Sequence, residues 1–252
     1  MTTDSGATVA RPTVVLLVGQ LCDESVFADQ AAALGNIADV DVQRVTSESV
    51  EHAVKHVLDS QTGPMALVGF SLGGIVALSC ALRAPDRISH LGLICANPHA
   101  PRPEQLTLWR RWRDLVTRER FGAVVDEVVQ AMLRPGVDDR FRLLARAMAE
   151  VAGPEEFLNQ LTLQETRTSL VDDLGTITAP TLIMGGANDP LCPPEYQRVI
   201  AAGIKAADLH IQPGAGHLLP WERGAEVTAN LVRLLETPSA VPHSAIRRDT
   251  ET

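Results

Sequence analysis

Basic runs are absent from this 252-residue chain, whose formal net charge is -9 and whose isoelectric point is about 5.2. A surface of that sign repels phosphate backbones, which argues against nucleic-acid binding. Anionic small molecules stay compatible, because one local arginine overrides the net charge. The four cysteines, Cys22, Cys80, Cys95 and Cys192, show neither CxxC nor metal-ligand spacing. Cys80 and Cys95 fall within apolar runs and read as reduced core residues. The apolar run TVVLLVG, at 13–19, is far shorter than the roughly 20 residues that cross a bilayer. MTTDSGATVA, the first ten residues, has no basic n-region and no long apolar h-region, which implies a cytoplasmic protein without a membrane partner. No internal repeat is visible.

What is present points to one large α/β fold. Hydrophobic residues make up 45% of the chain, enough for a full core without covalent staples. Runs at 12–19, 39–45, 64–70, 88–97, 179–186 and 207–214 read as strands. The first is continuous and β-branched, as in a strand buried on both faces, whereas 39–45 alternates like an outer strand. Helices are expected over 49–60, with Ser47 as N-cap, and from about Leu72 to Ala84, Pro194 to Ala202 and Leu219 to Leu235. From 101 to 170 the alternation gives way to successive helical segments, punctuated by Pro135-Gly136 and Gly153-Pro154. The expected architecture is a mostly parallel central sheet of about six strands, flanked by helices. Its core domain takes 12–100 and 171–236, a helical cap takes 101–170, and the tails 1–11 and 237–252 are expected to be disordered.

One stretch carries chemistry. VGFSLGG joins an apolar run to a helix and places Ser71 between Gly69 and Gly73. Strand, G-x-S-x-G and helix in that order form a nucleophile elbow, where small flanking residues let backbone pass close to a strained serine. A serine hydroxyl needs a base, and the base needs an orienting acid. Asp189, in GGANDPLCPP, stands just past a strand, and His217, in PGAGHLLPWE, stands in the loop after the last one. The order Ser71, Asp189, His217 suits groups gathered at the carboxyl edge of such a sheet.

Other candidates fit less well. His210 lies inside a strand pattern. His52 and His56 are four apart on one helix but lack the carboxylate motif of a metal pair. Asp172 and Asp173 precede a strand and point to its wrong edge, and the 88–97 strand ends on Asn97 rather than a carboxylate. An oxyanion would take the backbone N–H of Leu72 together with that of Gln20, in the loop leaving the first strand. Cys22, in the same loop, is a rival nucleophile that lacks the elbow.

Together, LLVGQLCDESVF, GFSLGG, GANDPLCPP and GAGHLLPWERGAEV resemble the α/β-hydrolase superfamily across roughly 12–236. They are similar to a bacterial branch of serine hydrolases that has a helical cap and no N-terminal hairpin. Val18-Gly19 stands where many relatives carry His-Gly, and Gly224 where proline is common; neither change removes a catalytic group. The resemblance implies esterase, lactonase, thioesterase, carbon–carbon hydrolase, perhydrolase or lyase activity. A shared triad does not choose among them.

The reading that follows is a serine hydrolase cleaving a carboxylic ester, lactone or thioester of a small molecule through an acyl-enzyme. No metal or organic cofactor is implied, and the chain is expected to be a monomer or homodimer. Two alternatives stay open: a cofactor-free carbon–carbon bond hydrolase or lyase on a carboxylated substrate, and a ligand-binding signalling protein on the same fold. At about 100° per residue, Leu108, Trp109, Trp112, Leu115 and Val116 share one arc of the first cap helix, flanked by Arg111 and Arg113. Trp109 and Trp112 are expected either to wall an apolar acyl pocket or to pack on neighbouring helices. A flanking arginine is able to meet a substrate carboxylate, and Arg113 is expected to matter only if the substrate is anionic.

Overall fold

The computed structural model describes residues 11–239 and 241. Six strands, β1 (Thr13–Leu17), β2 (Asp39–Gln43), β3 (Met65–Phe70), β4 (Ile88–Ile94), β5 (Thr181–Gly186) and β6 (Ala207–Gln212), form one sheet. Their order is β2-β1-β3-β4-β5-β6, and every adjacent pair is parallel. Parallel pairing demands crossovers, and helices supply them. They are α1 (Ala28–Leu34), α2 (Val50–Ser60), α3 (Leu72–Arg83), α4 (Pro103–Thr117), α5 (Phe121–Met132), α6 (Asp139–Thr166) and α7 (Pro194–Gly203). After β6 come α8 (Leu219–Glu222) and α9 (Gly224–Glu236).

The sequence pattern of each strand follows from its place. β3, β4 and β5 are buried at every position, as strands covered on both faces must be; β3 and β5 read as apolar runs, while β4 buries Ser89 and His90 among its apolar residues. β2 and β6 are the sheet's edges, half-exposed, and carry Asp, Gln and His between their apolar residues. Along β1 the two-residue period sends Val14 and Leu16 into one core cluster and Val15 and Leu17 into the other. The first cluster extends without a break to Trp109, Val124, Phe157 and Leu161 of the helices between β4 and β5.

Local details differ from expectation at five places, one of them the helix expected from Leu219 to Leu235, which is broken at Arg223 into α8 and α9. Ser49, not Ser47, caps α2: its hydroxyl accepts from the His52 N–H at 3.1 Å. Helix α1 was not anticipated, because ADQAAAL buries only Gln30 and Leu34 and so shows little periodicity. The segments expected on either side of Gly153-Pro154 run together as α6, interrupted at Gly153 by a φ of 75°. Finally, Arg11 and Thr237 belong to the folded body rather than to tails: Arg11 donates to the carbonyls of Gly35 and Ala38, and the Thr237 carbonyl accepts from His90 Nε2. The tail expectation for 1–10, 240 and 242–252 lies outside the described residues.

Candidate active site

Ser71 sits where β3 becomes α3, with φ 53° and ψ -112°, a conformation that side-chain-bearing residues rarely hold. The flanking glycines make that corner possible. A Cβ on Gly73 would lie 2.2 Å from the Leu17 carbonyl oxygen, and one on Gly69 would lie 2.3 Å from that of Gly73. Neither space admits a carbon atom. Pairing of β1, β3 and β4 therefore fixes the elbow, and the Ser71 N–H is tied to the Ile94 carbonyl at 2.9 Å.

Two loops from distant parts of the chain meet the serine. His217 Nε2 lies 3.0 Å from Ser71 Oγ, and His217 Nδ1 lies 2.8 Å from Asp189 Oδ2. Asp189 Oδ1 accepts from the N–H groups of Leu191 and Cys192, both at 2.9 Å, which fixes the carboxylate's plane. An ionised carboxylate only accepts, so Nδ1 carries the ring proton and Nε2 is left to accept from the serine hydroxyl. Asp189 and His217 are both buried, and Phe70 packs against the imidazole with ring centroids 5.2 Å apart. The loops are tied to each other by Asn188 N–H to the Ala215 carbonyl at 2.8 Å. Glu222 steadies the histidine loop. Its Oε1 accepts from the Gly216 N–H at 3.0 Å, and its Oε2 accepts from Arg134 Nε at 2.7 Å.

Gln20 and Leu72 line the same cavity as Ser71 and His217, and neither backbone N–H has a protein acceptor among the described residues. The Leu72 N–H opens α3, where the helix dipole favours negative charge. Two glutamines of α6, which the sequence reading did not single out, hold the Gln20 loop. Gln160 Oε1 accepts from the Leu21 N–H at 3.0 Å, and Gln164 Nε2 donates to Gln20 Oε1 at 2.9 Å. Arg167 Nη1 donates in turn to Gln164 Oε1 at 2.7 Å. Their signal in sequence was two glutamines four residues apart, one helical turn, on α6. Cys22 is fully buried, and desolvation together with nearby Asp23 pushes its thiol up to about 12, far from a thiolate nucleophile.

The cavity holds about 220 Å³ and is walled on one side by α4, α5 and α6. Trp109 and Trp112 are buried and line it, so the two expected roles, wall and core, coincide. Trp112 Nε1 also donates to Glu127 at 2.8 Å, and its ring packs on Phe157 at 6.1 Å. Arg113 does not reach the cavity. It turns to α6, where Nη2 meets Glu165 at 3.0 Å and Thr162 at 3.1 Å, because those partners sit nearer its side of the helix. The arginine that does line the cavity is Arg102, immediately before α4.

The other histidine and acid candidates stand apart. His210 Nε2 faces Asp208 on edge strand β6, at 2.8 Å. His52 and His56 are exposed on α2, and Asp172 and Asp173 are exposed in a turn before β5. Asn97 lines the cavity, and its Oδ1 accepts from the His99 N–H at 2.9 Å. One buried trio, Cys95, Asp189 and His217, brings possible ligand atoms within 4.8 Å of one another. It suits a cation poorly. Burial, followed by the charge of Asp189, holds the Cys95 thiol well above its ordinary value, and the other two groups are already paired.

A parallel sheet with a serine at a strand–helix corner, facing a histidine and an aspartate at the carboxyl edge, is the arrangement expected of an α/β-hydrolase. The chain belongs to the alpha/beta hydrolase family, whose model matches residues 14–231. It is 30% identical over 216 residues to a 2-hydroxymuconate semialdehyde hydrolase of Pseudomonas putida, a match covering 77% of this chain and 70% of that one. A pimeloyl-[acyl-carrier protein] methyl ester esterase of Chromobacterium violaceum is 27% identical, over 69% of this chain and 71% of its own. Among solved structures, the enol-lactonase of Burkholderia xenovorans LB400 matches the fold with a TM-score of 0.81 at 22% identity, over 91% of this chain and 93% of that one. Among the described residues no helix is long and apolar enough to cross a membrane.

Proposed function

We propose that the protein hydrolyses a carboxylic ester of a small molecule through a covalent acyl-Ser71 intermediate. The observation that carries this reading is the unbroken hydrogen-bond chain from Ser71 Oγ through His217 to Asp189. His217 Nε2 takes the hydroxyl proton as Ser71 Oγ attacks the ester carbonyl, and the buried Asp189 stabilises the imidazolium that forms. The N–H groups of Leu72 and Gln20 receive the developing oxyanion. His217 then delivers the proton to the departing alkoxide. In the second half it removes a proton from water, which attacks the acyl carbon and frees Ser71. Helices α4–α6 act as a cap whose side chains select the acyl group. None of these steps calls for a metal or an organic cofactor.

A relative named for 2-hydroxymuconate semialdehyde supports a second reading, cleavage of a carbon–carbon bond by the same groups. Products separate the two. Incubating the wild-type chain and Ser71→Ala with p-nitrophenyl esters, aliphatic lactones and thioesters should give wild-type-only release of acid and alcohol or thiol. Inactivity on all three, with ring-fission products consumed instead, would replace the ester reading by the carbon–carbon one.

A further inference from the structure

The charge of the cavity runs against the charge of the protein. The chain carries 31 acidic and 22 basic residues, yet among the described residues no aspartate or glutamate lines the space above Ser71. Among the described residues its lining holds one permanent cation, Arg102, beside the side-chain amides of Gln20, Asn97, Gln105 and Gln164. The backbone of Arg102 is pinned on both sides. Its N–H donates to Gln105 Oε1 at 3.0 Å, its carbonyl accepts from Leu106 N–H at 3.1 Å, and Pro103 follows it. Its guanidinium, by contrast, has no carboxylate, carbonyl or ring partner among the described residues. Most arginines on α4–α6 are occupied: Arg111, Arg113, Arg142 and Arg146 each meet an acid.

A second cation reinforces the same wall. Arg167 is buried, lies 5.5 Å over the Trp109 ring and donates to the His99 carbonyl and to Gln164, but meets no carboxylate among the described residues. His99, between the two arginines in this region, is held below its ordinary value by burial first, and then by Arg167 and Arg102. Both arginines leave positive charge without an acidic partner among the described residues: Arg167 is buried, where low dielectric strengthens its potential, whereas Arg102 is solvent-exposed at the cavity lining, where water screens it.

We propose that the substrate is a half-ester: besides the scissile ester it carries a carboxylate, and Arg102 holds that carboxylate at the cavity wall. This rests on the ester-hydrolase reading. A guanidinium fork presents two N–H donors to one carboxylate, and a single unpaired cation matches a monoanion better than a phosphate dianion. The cavity's volume, about 220 Å³, favours a short diacid over a long-chain one.

The test compares mono-p-nitrophenyl glutarate with p-nitrophenyl pentanoate, two esters of equal chain length, on the full chain. Wild type should prefer the glutarate, mainly through a lower KM. In Arg102→Gln the ratio of kcat/KM for glutarate over pentanoate should fall about 10- to 100-fold, the range of a charge-assisted hydrogen bond. Arg102→Lys should recover part of the ratio. Arg110→Gln, on the exposed side of α4, should leave it unchanged. Added salt should raise the KM for glutarate selectively. No wild-type preference, or the same ratio in Arg102→Gln, would overturn the proposal. If neither ester turns over, the ester reading fails, and calorimetric titration of glutarate into Ser71→Ala decides the role of Arg102. Binding that weakens at least 10-fold on adding Arg102→Gln supports the anion site; no binding, or equal binding, rejects it.

Discussion

The carboxyl edge of the sheet and the helices α4–α6 face one cavity, but they hold their side chains in different ways. At the sheet edge, backbone positions backbone. Ser71 is set by the register of β1, β3 and β4, Asp189 by two N–H groups of its own loop, and His217 by a loop clasped to that of Asp189. On the helical side, side chains position side chains: Trp112 leans on Glu127 and Phe157, Arg113 on Glu165, and Gln164 spans from Arg167 to Gln20. Main-chain constraints move only when the fold moves, whereas a side-chain lattice can be rebuilt by single substitutions. The groups proposed to react stand on the part that cannot drift, and the groups proposed to choose the substrate stand on the part that can.

Substitutions should separate these two regions sharply. Ser71→Ala is expected to cost on the order of 10⁶ in kcat with the melting temperature close to wild type, since chemistry and not packing is lost. Asp189→Asn should cost about 10⁴, through the wrong imidazole tautomer, with KM little altered. Comparable kinetic losses from Asp172→Asn would mean that the acid has been misplaced. Across the cavity, Trp112→Ala should act on both stability and selectivity. Removing a buried indole costs about 3–5 kcal/mol of unfolding free energy, measured by denaturant titration, and KM should rise more for bulky apolar esters than for acetyl esters. A stability loss with uniform kinetics would leave Trp112 as core alone. The smallest effect belongs to Arg113→Ala. Its ion pair with Glu165 is about one-third exposed, so the change should cost under about 1 kcal/mol and alter neither kcat nor KM. A KM effect specific to carboxylated esters would restore Arg113 to the site and weaken the case for Arg102.

The same contrast explains what could be read from the chain beforehand. Buried parallel strands write themselves as apolar runs, and the elbow demands Gly69 and Gly73, so β1, β3, β4, β5 and the serine corner were legible. That Asp189 and His217 would meet Ser71 was legible because strand ends locate the edge of the sheet. The partners of the helical residues left no such trace. An amphipathic arc told that Trp109 and Trp112 face inward, but not which helix Arg113 would meet, because that depends on how α4 is rotated against α6. That Arg102 lines the cavity was not legible for a related reason: it precedes the helix, outside any periodic pattern. Gln160 and Gln164 were passed over because a glutamine on a helix declares no partner until the loop it holds is in place. Helix α1 hid because alanines carry little periodic signal.

A covalent intermediate on Ser71 is the claim on which the rest stands. The most direct measurement is to treat the folded protein with a fluorophosphonate and map the adduct by peptide mass spectrometry. A single adduct on Ser71, absent from Ser71→Ala and strongly slowed in His217→Ala, is the expected result. All four cysteines are buried, and burial together with neighbouring acids keeps Cys22 protonated, so none should compete in the native state. An adduct on Cys22, or no adduct on a chain that still hydrolyses esters, would contradict the assignment of Ser71 as nucleophile.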